Sequence, residues 1–302
     1  MARSGLGDFL SLLTLVILGT GCSSAPTAAP APAPAPPPAA THQAAAAPEP
    51  VLPHQTFTLD SKVLGETRRI NVYTPPGLDA AQLASLPVVS MPDGGVKEDF
   101  PHVTSSINTA IRAGEMRPVV VVGIENTERR RDMTGPTQIE KDKKIAPRVG
   151  GSAAFRAFIA NELMPEVRRR YRTKDETAII GESLAGLFIV ETLLLQPHLF
   201  DTYVALDPSL WWNGGELVRT AHERIRSRPP GMHRPPTTVF LASADVEDIA
   251  VPTACLAEVL RENASHPLRS RYTPRPDLTH ATIYRALAPD VLRELLPPVS
   301  PP

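Results

Sequence analysis

The segment Thr177-Ala178-Ile179-Ile180-Gly181-Glu182-Ser183-Leu184-Ala185-Gly186 changes from strand to helix within four residues. Its first half is apolar and β-branched, as in a strand buried on both faces. Its second half opens an apolar run to Leu195 that reads as a helix. A serine at so sharp a corner takes a strained backbone, so its neighbours at 181 and 185 must be small. Gly181 and Ala185 meet that need, although the usual pattern has glycine at the second place.

The rest of the chain repeats the strand and helix alternation. Residues 56–59 and 69–73 alternate apolar and polar, predicting two antiparallel strands joined by a turn near Gly65. Continuous apolar runs at 87–91 and 118–124 predict buried strands, with further strands at 202–206 and 238–242. Helices are expected over 154–170, 184–195, 252–263 and 283–296. This order predicts an α/β-hydrolase fold, a mostly parallel central sheet with helices on both faces. Ser183 is then the candidate nucleophile, and the Leu184 amide, at a helix N-terminus, a candidate oxyanion donor.

A serine needs a base, and in this fold the chain order is serine, acid, histidine. The histidines after it are His198, His222, His233, His266 and His280. His280 follows Pro276-Asp277-Leu278-Thr279 just before the last helix, where the base belongs. The acid is expected after the strand 238–242, where Asp245, Glu247 and Asp248 remain open alternatives.

The N-terminus is of another kind. Arg3 precedes an apolar run, Phe9 to Leu18, too short to span a bilayer comfortably; Gly19, Thr20 and Gly21 then lead to Cys22. This resembles a bacterial lipoprotein signal, with its aliphatic residue one place early. It implies residues 1–22 as a leader, a lipidated Cys22 and a periplasmic lipoprotein of the cell envelope, anchored on the outer membrane. Residues 23–50 are nearly all Ala, Pro, Ser and Thr, a composition that cannot bury a core and makes an extended tether. The folded domain is expected over 51–302. The other cysteine, Cys255, lies in a predicted helix as a buried small residue, so no disulfide framework is expected. With 31 Lys and Arg against 32 Asp and Glu, the chain lacks the basic excess of general nucleic-acid binders.

Several segments together resemble the esterase family that includes the enterochelin (catecholate siderophore) esterases. They are 69–77 (Arg-Ile-Asn-Val-Tyr-Thr-Pro-Pro-Gly), Asp93-Gly94-Gly95, Arg131-Asp132-Met133-Thr134, Gly150-Gly151, the serine corner, Asp207-Pro208-Ser209-Leu210-Trp211-Trp212 and His280-Ala281-Thr282. Relatives normally carry serine where this chain has Asp207. The resemblance implies ester hydrolysis through an acyl-enzyme, and a small-molecule ester substrate such as a ferric siderophore trilactone. It favours Glu247 as the acid, and gives Gly94 or Gly95 as the second oxyanion donor beside Leu184. Of the run Arg129-Arg130-Arg131, Arg131 is matched to anionic substrate; of Trp211 and Trp212, one should line the pocket and the other pack inward. No cofactor or metal is implied, since no ligand cluster has the required spacing. A general or carbohydrate (acetyl or feruloyl) esterase, an envelope acyltransferase and a tethered binding lipoprotein are the competing readings.

Overall fold

The computed structural model describes residues 49–227, 237–263 and 268–298. The leader, Cys22, nearly all of the tether, His233 and His266 lie outside them. No described helix is long and apolar enough to cross a membrane.

The chain runs β1 (Gln55–Ser61), β2 (Glu66–Tyr73), α1 (Ala80–Leu83), β3 (Val88–Pro92), α2 (Phe100–Arg112), β4 (Val120–Ile124), α3 (Arg129–Asp132) and α4 (Glu140–Lys143). It continues with α5 (Ser152–Phe158), a π-helical stretch (Ile159–Leu163), α6 (Met164–Tyr171), β5 (Thr177–Glu182), α7 (Leu184–Leu195) and β6 (Thr202–Leu206). α8 (Trp212–Arg226), β7 (Thr237–Ala244), α9 (Glu247–Glu262), β8 (Leu268–Arg275) and α10 (Ile283–Leu295) complete it. The strands form one sheet in the order β1-β2-β4-β3-β5-β6-β7-β8. β1 and β2 form an antiparallel pair, β2 joins β4 antiparallel, and all later pairings are parallel. This is the expected α/β-hydrolase architecture.

Strand parity explains why the middle strands read as unbroken apolar runs. Ile179, Ala205 and Leu241 enter the core that holds α5 to α9, while Ala178, Ile180, Leu206 and Ala242 enter the core that holds α2 and α10. Helix α7 is buried along nearly its whole length, and so lacks a polar face.

Several elements go beyond the sequence reading, α2 and β8 foremost. α2 begins at Phe100-Pro101 and buries Phe100, Val103, Ile107 and Ala110. β8 is polar (Arg269, Ser270, Arg271) because it is an edge strand, where one side of the ladder stays wet. The helix expected over 154–170 is interrupted. Pro165 has no N–H to extend the ordinary ladder, and the turn before it widens, Met164 bonding to Ile159 five residues back. α9 starts at Glu247, earlier than expected, with Pro252 tolerated near its first turns. Cys255 is exposed on that helix rather than buried.

A buried charge network ties β2 to the segment after β4. The fully buried Arg68 guanidinium donates to Asp132 Oδ2 at 2.5 Å, to Glu66 Oε1 and Thr127 Oγ1 at 2.9 Å, and to the Glu125 carbonyl at 3.1 Å. Arg131 closes the network, with Nε 2.6 Å from Asp132 Oδ1 and its two terminal nitrogens on Glu66 at 2.7 and 2.9 Å. This corrects the expectation for Arg131. Its guanidinium is taken up by two carboxylates and is not open to an incoming anion; the Glu66 contact pulls that carboxyl down to about 2. Asp132→Ala would leave the Arg68 charge buried without its closest partner. The expected cost is about 3–5 kcal/mol in denaturant unfolding, and a loss under about 1 kcal/mol would contradict the structural role.

Candidate active site

Three strand ends on the C-terminal edge of the sheet carry non-glycine residues with positive φ: Asp93 after β3 (56°), Ser183 after β5 (58°) and Asp207 after β6 (47°). Such backbone costs about 1–3 kcal/mol per residue and persists only where its surroundings hold it. At Ser183 the amide donates to the Leu206 carbonyl (3.1 Å), and its own carbonyl accepts from Ser209 (3.0 Å). Gly181 is required here, since a Cβ on it would meet the Ala185 Cβ at 2.7 Å.

The loop between β8 and α10 brings His280 over this corner. Its Nε2 lies 3.2 Å from Ser183 Oγ, so the two residues singled out in sequence meet. Its Nδ1 lies 2.5 Å from Asp207 Oδ2. Asp207 is fully buried, and its other oxygen accepts the Ala244 amide at 2.7 Å, which fixes the carboxylate against β7. The imidazole partner is therefore Asp207, not Asp245, Glu247 or Asp248. Those three are exposed at the end of β7 and the start of α9. The reason is topological: β6 lies next to β5, one strand nearer the serine than β7. The signal was in the sequence, as the one departure from the family's Ser-Pro-Ser-Leu-Trp-Trp.

The expected oxyanion donors divide. Leu184 is the first residue of α7, so its amide has no partner four residues back. Gly94 is excluded, because its amide donates to the Ile124 carbonyl at 3.0 Å. It is glycine because a Cβ would come within 2.2 Å of the Gly123 Cα. The Gly95 amide donates to a side chain, Glu98 Oε2, at 2.7 Å.

From the arginine run it is Arg129 that faces this edge. It is held by both oxygens of Asp93, Nε at 2.6 Å and Nη2 at 2.8 Å. Asp93 also accepts Asn126 Nδ2 at 2.6 Å. Trp212 is buried, its indole N–H donating to the Gly135 carbonyl at 2.9 Å, while Trp211 beside it is partly exposed. The segment 139–144 forms α4, anchored through the buried Asp142, which accepts the Asn213 amide at 2.8 Å and Thr137 Oγ1 at 3.1 Å.

Electrostatics set the proton chemistry. The hydrogen bond to Asp207 raises His280 above its ordinary 6.5, against the opposing effect of burial. Glu182, not singled out in sequence, shares the face of Ala178 and Ile180 and so points toward α2 and α10. Burial pushes its carboxyl up to about 7, with the His280 charge pulling the other way. Its Oε1 is buried without a hydrogen-bond partner. A serine hydroxyl, an imidazole able to take its proton and a buried carboxylate behind that imidazole can together carry out nucleophilic attack. By NMR titration of the ring, Asp207→Asn and Glu182→Gln should each lower the His280 pKa, because each removes a negative charge that favours the imidazolium. Asp245→Asn should leave it in place, and a shift there larger than that for Asp207→Asn would contradict the assignment.

The chain is similar in sequence and in fold to known esterases. The sequence model of the family described as "Putative esterase" matches residues 61–238. The ferri-bacillibactin esterase BesA of Bacillus subtilis is 30% identical over 198 residues, covering 60% of this chain and 67% of that one. The iron(III) salmochelin esterase of Escherichia coli O6:H1 is 28% identical over 166 residues, 52% of this chain but only 36% of that protein. Among solved structures, an IroE-like serine hydrolase from Shewanella oneidensis superposes with a TM-score of 0.72 at 27% identity, covering 81% of this chain and 80% of that one. With the family matched over more than half its length, the chain belongs to this esterase family and is a carboxylic ester hydrolase.

Proposed function

We propose that the chain hydrolyses its ester through an acyl-enzyme formed on Ser183. The observation that carries this is the continuous contact Ser183 Oγ, His280, Asp207, at 3.2 and 2.5 Å. As Ser183 Oγ attacks the ester carbonyl, its proton passes to His280 Nε2, and the carbonyl oxygen takes up the negative charge. Asp207 keeps Nδ1 protonated and stabilises the imidazolium. The amides of Leu184 and Gly95 are the donors that would receive the oxyanion. His280 then gives its proton to the leaving alcohol, and a water activated by the same imidazole releases the acid.

For substrate, the activities of the relatives favour an ester of the siderophore class, first of all a catecholate trilactone. A second reading, an esterase of uncharged acyl esters, is favoured by the charges around the serine. Arg129, the arginine of the run that faces the site, is spent on Asp93 rather than open to a polyanionic iron complex. The chain's place is the cell envelope, tethered by an acyl group on Cys22, a reading supported by the apolar run and small residues before it.

With p-nitrophenyl acetate and the full chain, Ser183→Ala should abolish turnover. Asp207→Asn should lower kcat by about 10⁴-fold, while Asp245→Ala and Glu247→Ala stay near wild type. An active Ser183→Ala enzyme would overturn the mechanism. Between the substrate readings, faster hydrolysis of a ferric catecholate trilactone than of aryl acetates supports the first, and the reverse order the second. In cells, Cys22→Ser should remove palmitate labelling; unchanged labelling would exclude the anchor.

A further inference from the structure

The turn after β3 carries a feature that esterase chemistry does not require. β3 and β5 run parallel with Ser90 opposite Ile179. The turn after β3 and the corner at Ser183 after β5 therefore leave neighbouring strands at the same edge of the sheet. Within that turn Gly94 is fixed, its amide bonded to Ile124 and its Cα pressed on β4. Gly95 is therefore the residue of the turn whose amide can serve a ligand, and it is occupied. Glu98 Oε2 accepts it at 2.7 Å, while the Glu98 amide donates back to the Gly95 carbonyl at 2.9 Å. A carboxylate oxygen at that distance is a chemical likeness of the anionic oxygen that an oxyanion donor receives, at roughly 2.7–3.1 Å.

We propose that Glu98 gates the reaction by occupying the Gly95 amide in the resting enzyme, so that substrate must displace its carboxylate to complete the oxyanion hole. The proposal rests on the reading of Ser183 as nucleophile and Gly95 as donor. The carboxylate is half-buried, and Asn126 also donates to it. Burial pushes its carboxyl up, against the Gly95 bond, and the Asp93 charge adds to the push. The gate sets the accessible rate without touching the serine. Each turnover exchanges one anionic oxygen for another on the same N–H, and the charge of Glu98 lowers the apparent affinity for the transition state. The alternative is a helix-capping side chain, which would matter to folding alone.

The test uses the full chain, with Glu98→Ala and the isosteric Glu98→Gln, measured against p-nitrophenyl acetate and phenylboronic acid. The boron of that inhibitor gains its fourth bond from Ser183 Oγ while the hydroxyl proton passes to His280, leaving a tetrahedral anion that needs the same donors. Opening the gate should raise kcat/KM roughly three- to tenfold, a fraction of the 10²–10³ that one oxyanion donor is worth. The inhibition constant for phenylboronic acid should fall by a similar factor, and Glu98→Gln should change both in the same direction. Folded variants with kcat/KM and boronate affinity unchanged or reduced would overturn the gate and leave a cap. If Glu98→Ala does not fold, Glu98→Gln decides by the same two readings. Ser183→Ala separates the failures: an active Ser183→Ala enzyme rejects the underlying mechanism, whereas an inactive one beside unimproved Glu98 variants rejects the gate alone.

Discussion

The hydrogen bond between Asp207 and His280 is the contact on which the site depends. It joins the loop after β6 to the loop before α10, and it fixes which imidazole nitrogen faces Ser183. The aspartate is fully buried, so its charge must be compensated by the protein. One oxygen is met by the imidazole and the other by the Ala244 amide. The carboxylate that orients the base is thus held by the neighbouring strand, and its position is set by the sheet rather than by a flexible loop.

The sheet makes this possible because both of its faces are covered. Packing of α5 to α9 on one face and α2 with α10 on the other fixes the strand ends, and the strained corners at Asp93, Ser183 and Asp207 all lie on the one edge where those ends meet. A corner serine with positive φ is tolerated only because Leu206 and Ser209 hold its backbone and Gly181 makes room. The arginine that faces this edge is already paired. Arg129 is neutralised by Asp93, and Glu182 stands directly before the serine in sequence, raised toward neutrality by burial.

Much of this was legible in the sequence, and the misses share a cause. Ser183 and His280 could be read because a strand-to-helix corner and a histidine before the last helix each have a local pattern. The acid has none. Asp245, Glu247 and Asp248 all follow a strand end, and only the fold reveals that β6 lies nearer to the serine than β7 does. Asp207 did announce itself, as a carboxylate where relatives carry serine. The arginine run could not be sorted from sequence, since Arg129 and Arg131 differ only in which carboxylates the fold presents to them. β8 carries no strand pattern in sequence because an edge strand can be as polar as a loop. Residue type alone places Cys255 in a core, whereas the face of α9 that carries it is turned outward.

The most direct measurement is a crystal structure of the full chain after reaction with an aryl phosphonate fluoride, which transfers phosphorus to an activated serine and releases fluoride. The expected structure has phosphorus on Ser183 Oγ, a phosphonyl oxygen within hydrogen-bond distance of the Leu184 amide, and His280 Nδ1 still against Asp207. A label on another residue, or an imidazole turned away to Asp245 or Glu247, would contradict it.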